Sequence, residues 1–74
     1  MTATLDLRGT ACPLNYVKTR IELERMAVGE VLEVWLDHGE PEDQVPRSLR
    51  MDGHDVDVLG AGDNHARIRV LRRA

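Results

Sequence analysis

One stretch organises this chain: Asp6-Leu7-Arg8-Gly9-Thr10-Ala11-Cys12-Pro13-Leu14-Asn15. At its start, Leu5 and Leu7 alternate with charged residues, which is the period of a half-buried strand from Thr4 to Arg8. After it, the sequence up to Ala27 lacks Gly and Pro and is rich in good helix formers. The stretch therefore predicts a strand, a short turn and a helix running from Pro13 to about Ala27.

Cys12 is the only cysteine in the chain and directly precedes a proline. Proline is favoured at the first helical position and disfavours helical backbone in the residue before it, so we expect Cys12 to be an extended N-cap. There the sulfur would face unpaired backbone N–H groups and the positive end of the helix dipole, which favour the nucleophilic thiolate. The predicted surroundings of the thiol are Arg8, Gly9, Pro13, Asn15 and Lys18.

An inert cysteine is the alternative, because lone cysteines in small proteins are most often buried packing residues. A helix N-terminus that follows a strand usually lies at the rim of a fold and seldom in its core. That position favours a reactive thiol.

The rest of the first helix predicts a core face and an outer face. The core face comprises Tyr16, Thr19, Leu23, Met26 and Ala27. Val17 and Ile21 lie nearer the opposite side, and Gly29 is a plausible C-cap.

Further along, alternation predicts a strand from Val31 to Leu36 with Trp35 facing outward. A second helix is expected to begin at Pro41. Because Pro46 interrupts it, we expect either a kinked helix or a short turn followed by a helix from Pro46 to Met51.

The last third predicts a hairpin, with strands His54–Leu59 and His65–Leu71 around the turn Gly60–Asn64. If Leu59 pairs with His65, Asp57 faces Arg67 and Asp55 faces Arg69. Opposite charges directly across a strand pair are stabilising, so these arginines are better explained by the aspartates than by nucleic acid.

Together these elements predict an α/β two-layer sandwich: the order βαβαββ, a mixed four-stranded sheet and two helices on one face. The 74 residues are expected to form a single domain, 1–74. The net charge of −3 argues against direct binding of nucleic acid or a membrane surface. The N-terminus lacks the features of a signal peptide and no apolar run could span a bilayer, which predicts a cytoplasmic protein with a reduced thiol.

Three chemistries suit a lone reactive thiol. A cysteine hydrolase needs a histidine and a cleft, for which so small a fold has little room. A redox switch through an intermolecular disulfide is open to any exposed reactive thiol. A sulfur carrier needs only an accessible nucleophilic cysteine, with no cofactor, metal or second catalytic group. Of the three chemistries, the sulfur carrier fits this sequence best.

The sequence also resembles the TusA/SirA-like sulfur carriers. The resemblance rests on Leu5-Asp6-Leu7-Arg8-Gly9, Cys12-Pro13, Gly29-Glu30 with the strand ending at Asp37, Val45-Pro46 and Gly53-His54. It implies the βαβαββ fold and a persulfide on Cys12, loaded by a protein donor of the cysteine desulfurase or rhodanese type and passed to a protein acceptor. We expect a monomer or weak dimer.

One position departs from the family's Cys-Pro-x-Pro motif, because Asn15 replaces the second proline. In the first helical turn its side chain is expected to reach back towards the backbone of Cys12 or to contact a partner. The donor, the acceptor and the pathway (transfer RNA thiolation, sulfur oxidation or molybdenum-enzyme maturation) stay open. The alternative function is a regulatory or adaptor module in which Cys12 is dispensable.

Overall fold

The structure is a computed structural model that describes residues 2–61 and 65–74. Four strands and two helices follow one another in the predicted order βαβαββ. They are β1 (Thr2–Asp6), α1 (Leu14–Glu24), β2 (Val31–Leu36), α2 (Glu40–Met51), β3 (Asp55–Ala61) and β4 (Ala66–Leu71). In the described ranges, neither helix is long and apolar enough to cross a membrane.

The strands form one mixed sheet in the order β1-β2-β4-β3. β1 pairs with β2 in parallel, with Leu5 opposite Val34, whereas β2–β4 and β3–β4 are antiparallel. The parallel pair is joined through α1, as a crossover connection requires. The predicted mixed four-stranded sheet is confirmed.

One cluster of buried apolar side chains joins the sheet to both helices. Leu32, Val34 and Leu36 alternate along β2, and Ile68 and Val70 along β4. The helices contribute Leu23, Val45 and Leu49 to the same cluster. Both helices therefore cover one face of the sheet, which confirms the two-layer sandwich.

The first strand and helix have different ends from those predicted. β1 begins two residues earlier than expected and ends at Asp6 rather than Arg8, although the Leu7 N–H still donates to the carbonyl of Trp35 over 2.9 Å. α1 begins at Leu14 and ends at Glu24, with Arg25 as its C-cap. Gly29 is therefore not the C-cap, and its N–H instead donates to the carbonyl of Arg72 over 2.8 Å.

The core face of α1 is partly as predicted. Thr19 and Leu23 are fully buried, and Tyr16 and Met26 are partly buried. Ala27 lies beyond the helix and is exposed, so its assignment to the core was wrong. Asn15 is the unpredicted member of the buried face, with no exposed surface at all.

α2 runs without a break from Glu40 to Met51, with Pro46 inside it and buried. The predicted alternative of a short turn followed by a separate helix is wrong. Gly39, at a positive φ of 94°, is the N-cap, and its N–H donates to the Glu42 carboxylate over 3.1 Å. The burial of Val45 and Leu49 on either side of Pro46 explains how the helix tolerates a missing backbone donor.

The hairpin register differs from the prediction because the ladder shifts between Val58 and Gly60. Asp57 lies opposite Arg69 rather than Arg67, and Asp55 lies opposite Leu71. The Asp55 carboxylate instead accepts a hydrogen bond of 2.7 Å from the Arg73 guanidinium. Gly60 and Ala61, which were predicted to lie in the turn, belong to β3, and the other residues of the predicted turn, 62–64, lie outside the described residues.

Candidate functional site

The segment that carries Cys12 leaves the sheet beside the end of β2. The Gly9 N–H donates to the Asp37 carboxylate over 2.9 Å, and the Thr10 N–H donates to the carbonyl of Leu7 over 3.1 Å. Gly9 has a positive φ of 80°, a conformation that glycine adopts without steric cost. These contacts fix the turn at the carboxyl end of the parallel strands, where sites on open α/β sheets commonly lie.

Cys12 is exposed and lies in this turn, two residues before α1. The Cys12–Pro13 peptide bond is cis, and Pro13 is the N-cap of the helix. The predictions of Cys12 as N-cap and of Pro13 as first helical residue were therefore wrong by one position. The helix begins at Leu14, one residue later than the sequence pattern predicts.

Three backbone N–H groups at the start of α1 already donate to acceptors other than the sulfur. The Asn15 N–H donates to the carbonyl of Ala11 and the Val17 N–H to that of Pro13, each over 3.1 Å. The Tyr16 N–H donates to the side-chain oxygen of Asn15 over 2.7 Å. The expectation that the sulfur faces these N–H groups unpaired was therefore wrong.

The sulfur instead contacts the side chain of Asn15. Cys12 Sγ–H donates to Asn15 Oδ1 over 3.2 Å, and the same oxygen accepts the Tyr16 N–H. Both lone pairs of this carbonyl oxygen are thus used. Asn15 Nδ2 is buried and has no hydrogen-bond partner within residues 2–61 and 65–74. The Asn15 side chain does reach back to Cys12, as predicted, but it contacts the sulfur and not the backbone.

Arg8 contacts residues of β1 and β2. Its guanidinium donates to both carboxylate oxygens of Asp6, over 2.9 and 2.8 Å, and lies 5.0 Å from the centroid of the Trp35 ring. The hydrogen bonds from Arg8 lower the pKa of Asp6 to about 2. The Trp35 ring also lies 5.0 Å from that of His65. Arg8 is therefore engaged by β1 and β2.

The five residues predicted to surround the thiol differ in their distance from it and in what they contact. Asn15 touches the sulfur, and Gly9 and Pro13 shape the turn that carries it. Lys18 is exposed on α1, and Arg8 binds Asp6. In the part of the chain that the structure describes, no three His, Cys, Asp or Glu side chains are grouped to hold a metal ion.

Two residues of the site were not singled out from the sequence. Asp37 accepts the Gly9 N–H, and Trp35 stacks on Arg8. Only their position in the chain indicated them: Trp35 is the second-last residue of β2 and Asp37 directly follows β2, so both lie at the carboxyl end of the strand that pairs with β1. Recognising them required the strand order.

Comparison with known protein families gives a match over nearly the whole chain. The family model described as "Sulfurtransferase TusA" matches residues 3–72. The chain belongs to the TusA sulfurtransferase family. The match includes the turn with Cys12 and all six helices and strands apart from Thr2 at the edge of β1.

Individual relatives of this TusA-family chain carry consistent descriptions. A "Putative sulfur carrier protein" of Archaeoglobus fulgidus is 44% identical over 52 residues, which are 70% of this chain and 59% of the relative. Another of the same description, from Thermotoga maritima, is 41% identical over 56 residues, 76% of this chain and 71% of the relative. The aligned part of the chain spans about three fifths of the first relative's length.

A solved structure shares the fold. The SirA-like protein of Desulfitobacterium hafniense superposes with a TM-score of 0.84 over 97% of this chain and 99% of its own, at 16% identity. At that identity the likeness concerns the fold alone. It supports the βαβαββ sandwich derived above.

Proposed function

We propose that this protein carries sulfur as a persulfide on Cys12 and passes it from one protein to another. The observation that carries the proposal is the exposed side chain of the chain's only cysteine, in the turn before α1. An exposed sulfur can be reached by a persulfide held on another protein. Membership of the TusA family supports the same role.

The transfer needs no net oxidant or reductant. The deprotonated Cys12 sulfur attacks the outer sulfur of a donor persulfide, R–S–SH. A new S–S bond forms as the old one breaks, which gives Cys12–S–SH and the donor thiolate R–S⁻. The acceptor thiolate then attacks the outer sulfur on Cys12 in the same way, and Cys12 leaves as a thiolate. The proton of the resting thiol is released to solvent before the first attack.

The donor and the acceptor are proposed to be proteins. Three apolar side chains on α1 after Cys12 are exposed, namely Leu14, Val17 and Ile21. They are three and four residues apart and therefore share one side of the helix. Apolar side chains beside an exposed thiol suit protein contact better than contact with a small thiol. The resemblance implies a donor of the cysteine desulfurase or rhodanese type, and the cytoplasm would keep the thiol reduced.

The test is intact mass. The protein is incubated with a cysteine desulfurase and cysteine, and with the desulfurase alone as a control. The wild type is expected to gain one sulfur atom that a reductant removes, and Cys12→Ser is expected to gain none. A wild type that gains no sulfur, or a Cys12→Ser variant that gains as much, would contradict the proposal.

The alternative is an adaptor in which Cys12 is dispensable, and the exposure of Val17 and Ile21 is the observation that favours it. An adaptor would retain its bound partner when Cys12 is changed to Ser. A sulfur carrier would retain the partner but lose the transfer of sulfur to it. Measuring both binding and transfer with the same variant separates the two functions.

A further inference from the structure

Building on the proposed function, we propose that Asn15 is a positioning residue that favours release of sulfur from Cys12. Its side-chain oxygen accepts a hydrogen bond from the unloaded thiol, and the persulfide cannot make the same bond. The residue at this position would then set how readily the carrier gives up its sulfur.

The orientation of the Asn15 side chain is fixed by its neighbour. The Tyr16 N–H donates to Oδ1 over 2.7 Å. Rotating the amide by half a turn would place the Nδ2 donor against the Tyr16 donor. The oxygen therefore stays towards both the Tyr16 N–H and Cys12 Sγ, which lies 3.2 Å away.

The opposite end of the same amide supports a functional role. Asn15 is fully buried, and its Nδ2 has no partner among the described residues. A buried donor without a partner destabilises the folded state, and an apolar side chain of similar size would avoid that penalty. Such a group in a native structure calls for an explanation other than stability. Holding the acceptor oxygen Oδ1 beside the sulfur of Cys12 is such an explanation.

The two states of the cysteine differ in what they offer this oxygen. In the unloaded state Sγ carries a proton and donates it to Oδ1. In the persulfide, Sγ is bonded to Cβ and to the outer sulfur and has no proton to donate. The outer sulfur lies one bond further out and does not occupy the position of Sγ. An interaction made in only one state shifts the equilibrium towards that state.

The relevant equilibrium is Cys12–S–SH + R–SH ⇌ Cys12–SH + R–S–SH. One net hydrogen bond corresponds to roughly a two- to tenfold change in such an equilibrium constant. Replacing Asn15 with an apolar residue should therefore raise the ratio of loaded to unloaded protein by about that factor.

The experiment equilibrates each protein with glutathione and glutathione persulfide at a fixed ratio and measures the loaded fraction by intact mass. Asn15→Leu, which has no acceptor, is expected to raise the ratio of loaded to unloaded protein. Asn15→Asp, which retains an acceptor oxygen, is expected to keep it at or below the wild-type ratio. Thr19→Val is the matched control, because Thr19 is equally buried and its hydroxyl donates to the backbone carbonyl of Asn15, not to the side-chain oxygen that accepts from the sulfur.

A merely structural role of Asn15 would move the Leu and Asp variants in the same direction, and this result would overturn the proposal. So would an Asn15→Leu ratio equal to that of the wild type. If the wild type fails to load at all, the proposed sulfur transfer itself fails. The two failures are therefore distinguishable.

A second measurement does not depend on how well the variants fold. The chain has one cysteine, so its infrared spectrum contains one S–H stretching band. In the folded wild type this band is expected at lower frequency than in the urea-unfolded protein, because the thiol donates a hydrogen bond. A band at or above the unfolded frequency would overturn the proposal.

Discussion

Arg8 shows how one residue joins the turn to the sheet. Its guanidinium binds both oxygens of Asp6 and lies over the Trp35 ring, 5.0 Å from the centroid. The sequence analysis predicted that Arg8 belongs to the surroundings of the thiol. The planar guanidinium instead matches a carboxylate two residues back and an aromatic face on the neighbouring strand. Its charge is therefore balanced within the sheet.

The pH dependence of Asp6 tests this pairing. In the wild type the carboxyl group of Asp6 should titrate with a pKa of about 2, and in Arg8→Gln its pKa should return towards 3.8. Because the folded pKa lies below the unfolded one, the pairing stabilises the fold above pH 3.8, and this contribution disappears as the pH falls through about 2. Carbon NMR of the carboxyl group measures the titration. A wild-type value of 3.8 or more would contradict the prediction.

At the scale of elements, the end of α1 is set by a residue far along the chain. The Arg72 guanidinium donates to the carbonyls of Leu23, over 2.7 Å, and of Glu24, over 3.3 Å. It also donates to the carbonyl of Met26. The last carbonyls of a helix have no partners within it, so this arginine satisfies the C-terminus of α1 from the segment after β4.

Arg72→Met should therefore destabilise the protein by about 1–3 kcal/mol, because several helix-end carbonyls lose a charged donor. Arg73→Met is the control. Arg73 makes an exposed ion pair with Asp55, and such pairs contribute about 1 kcal/mol or less. Urea unfolding of the three proteins measures both effects. Equal losses of unfolding free energy for the two variants would contradict the prediction, because the helix-end contacts would then contribute no more than the exposed ion pair.

The elements also show what sequence patterns could predict. Alternation placed β2 at its observed bounds, Val31 to Leu36, because each buried side chain there faces one core. The pattern of α1 continued to Ala27, but the helix ends at Glu24, where the Arg72 side chain donates to the helix-end carbonyls and the Arg72 carbonyl accepts the Gly29 N–H. Pro46 suggested a break, but burial on the sheet holds α2 together. Long-range contacts decided these cases.

At the scale of the whole molecule, one cluster of side chains supplies the core for both layers. Its members come from all four strands or their immediate continuations and from both helices. A domain of this size has a small margin of stability, since native domains are stable by only about 5–15 kcal/mol. Loss of one core side chain should therefore remove a sizeable part of the free energy of unfolding.

Two valines provide a matched comparison. Val34 is fully buried in β2, whereas Val58 in β3 is 54% exposed. Val34→Ala should destabilise the fold by about 2–3 kcal/mol, because it removes buried carbon and leaves a cavity. Val58→Ala should change the free energy of unfolding by less than about 1 kcal/mol. Urea unfolding followed by the fluorescence of the only tryptophan, Trp35, distinguishes the two. Similar losses would contradict the prediction.

The sequence by itself determined the order of the elements, the buried faces of the strands and the cysteine at the turn before the first helix. Local periodicity and the backbone restrictions of Gly and Pro are enough for these features. The tertiary structure alone decided that Asn15 is buried against Cys12 Sγ, that Arg8 belongs to Asp6 and Trp35, and that Asp57 lies opposite Arg69. These contacts depend on how helices pack on the sheet and on a shift in strand register, and neither is encoded in the spacing of neighbouring residues.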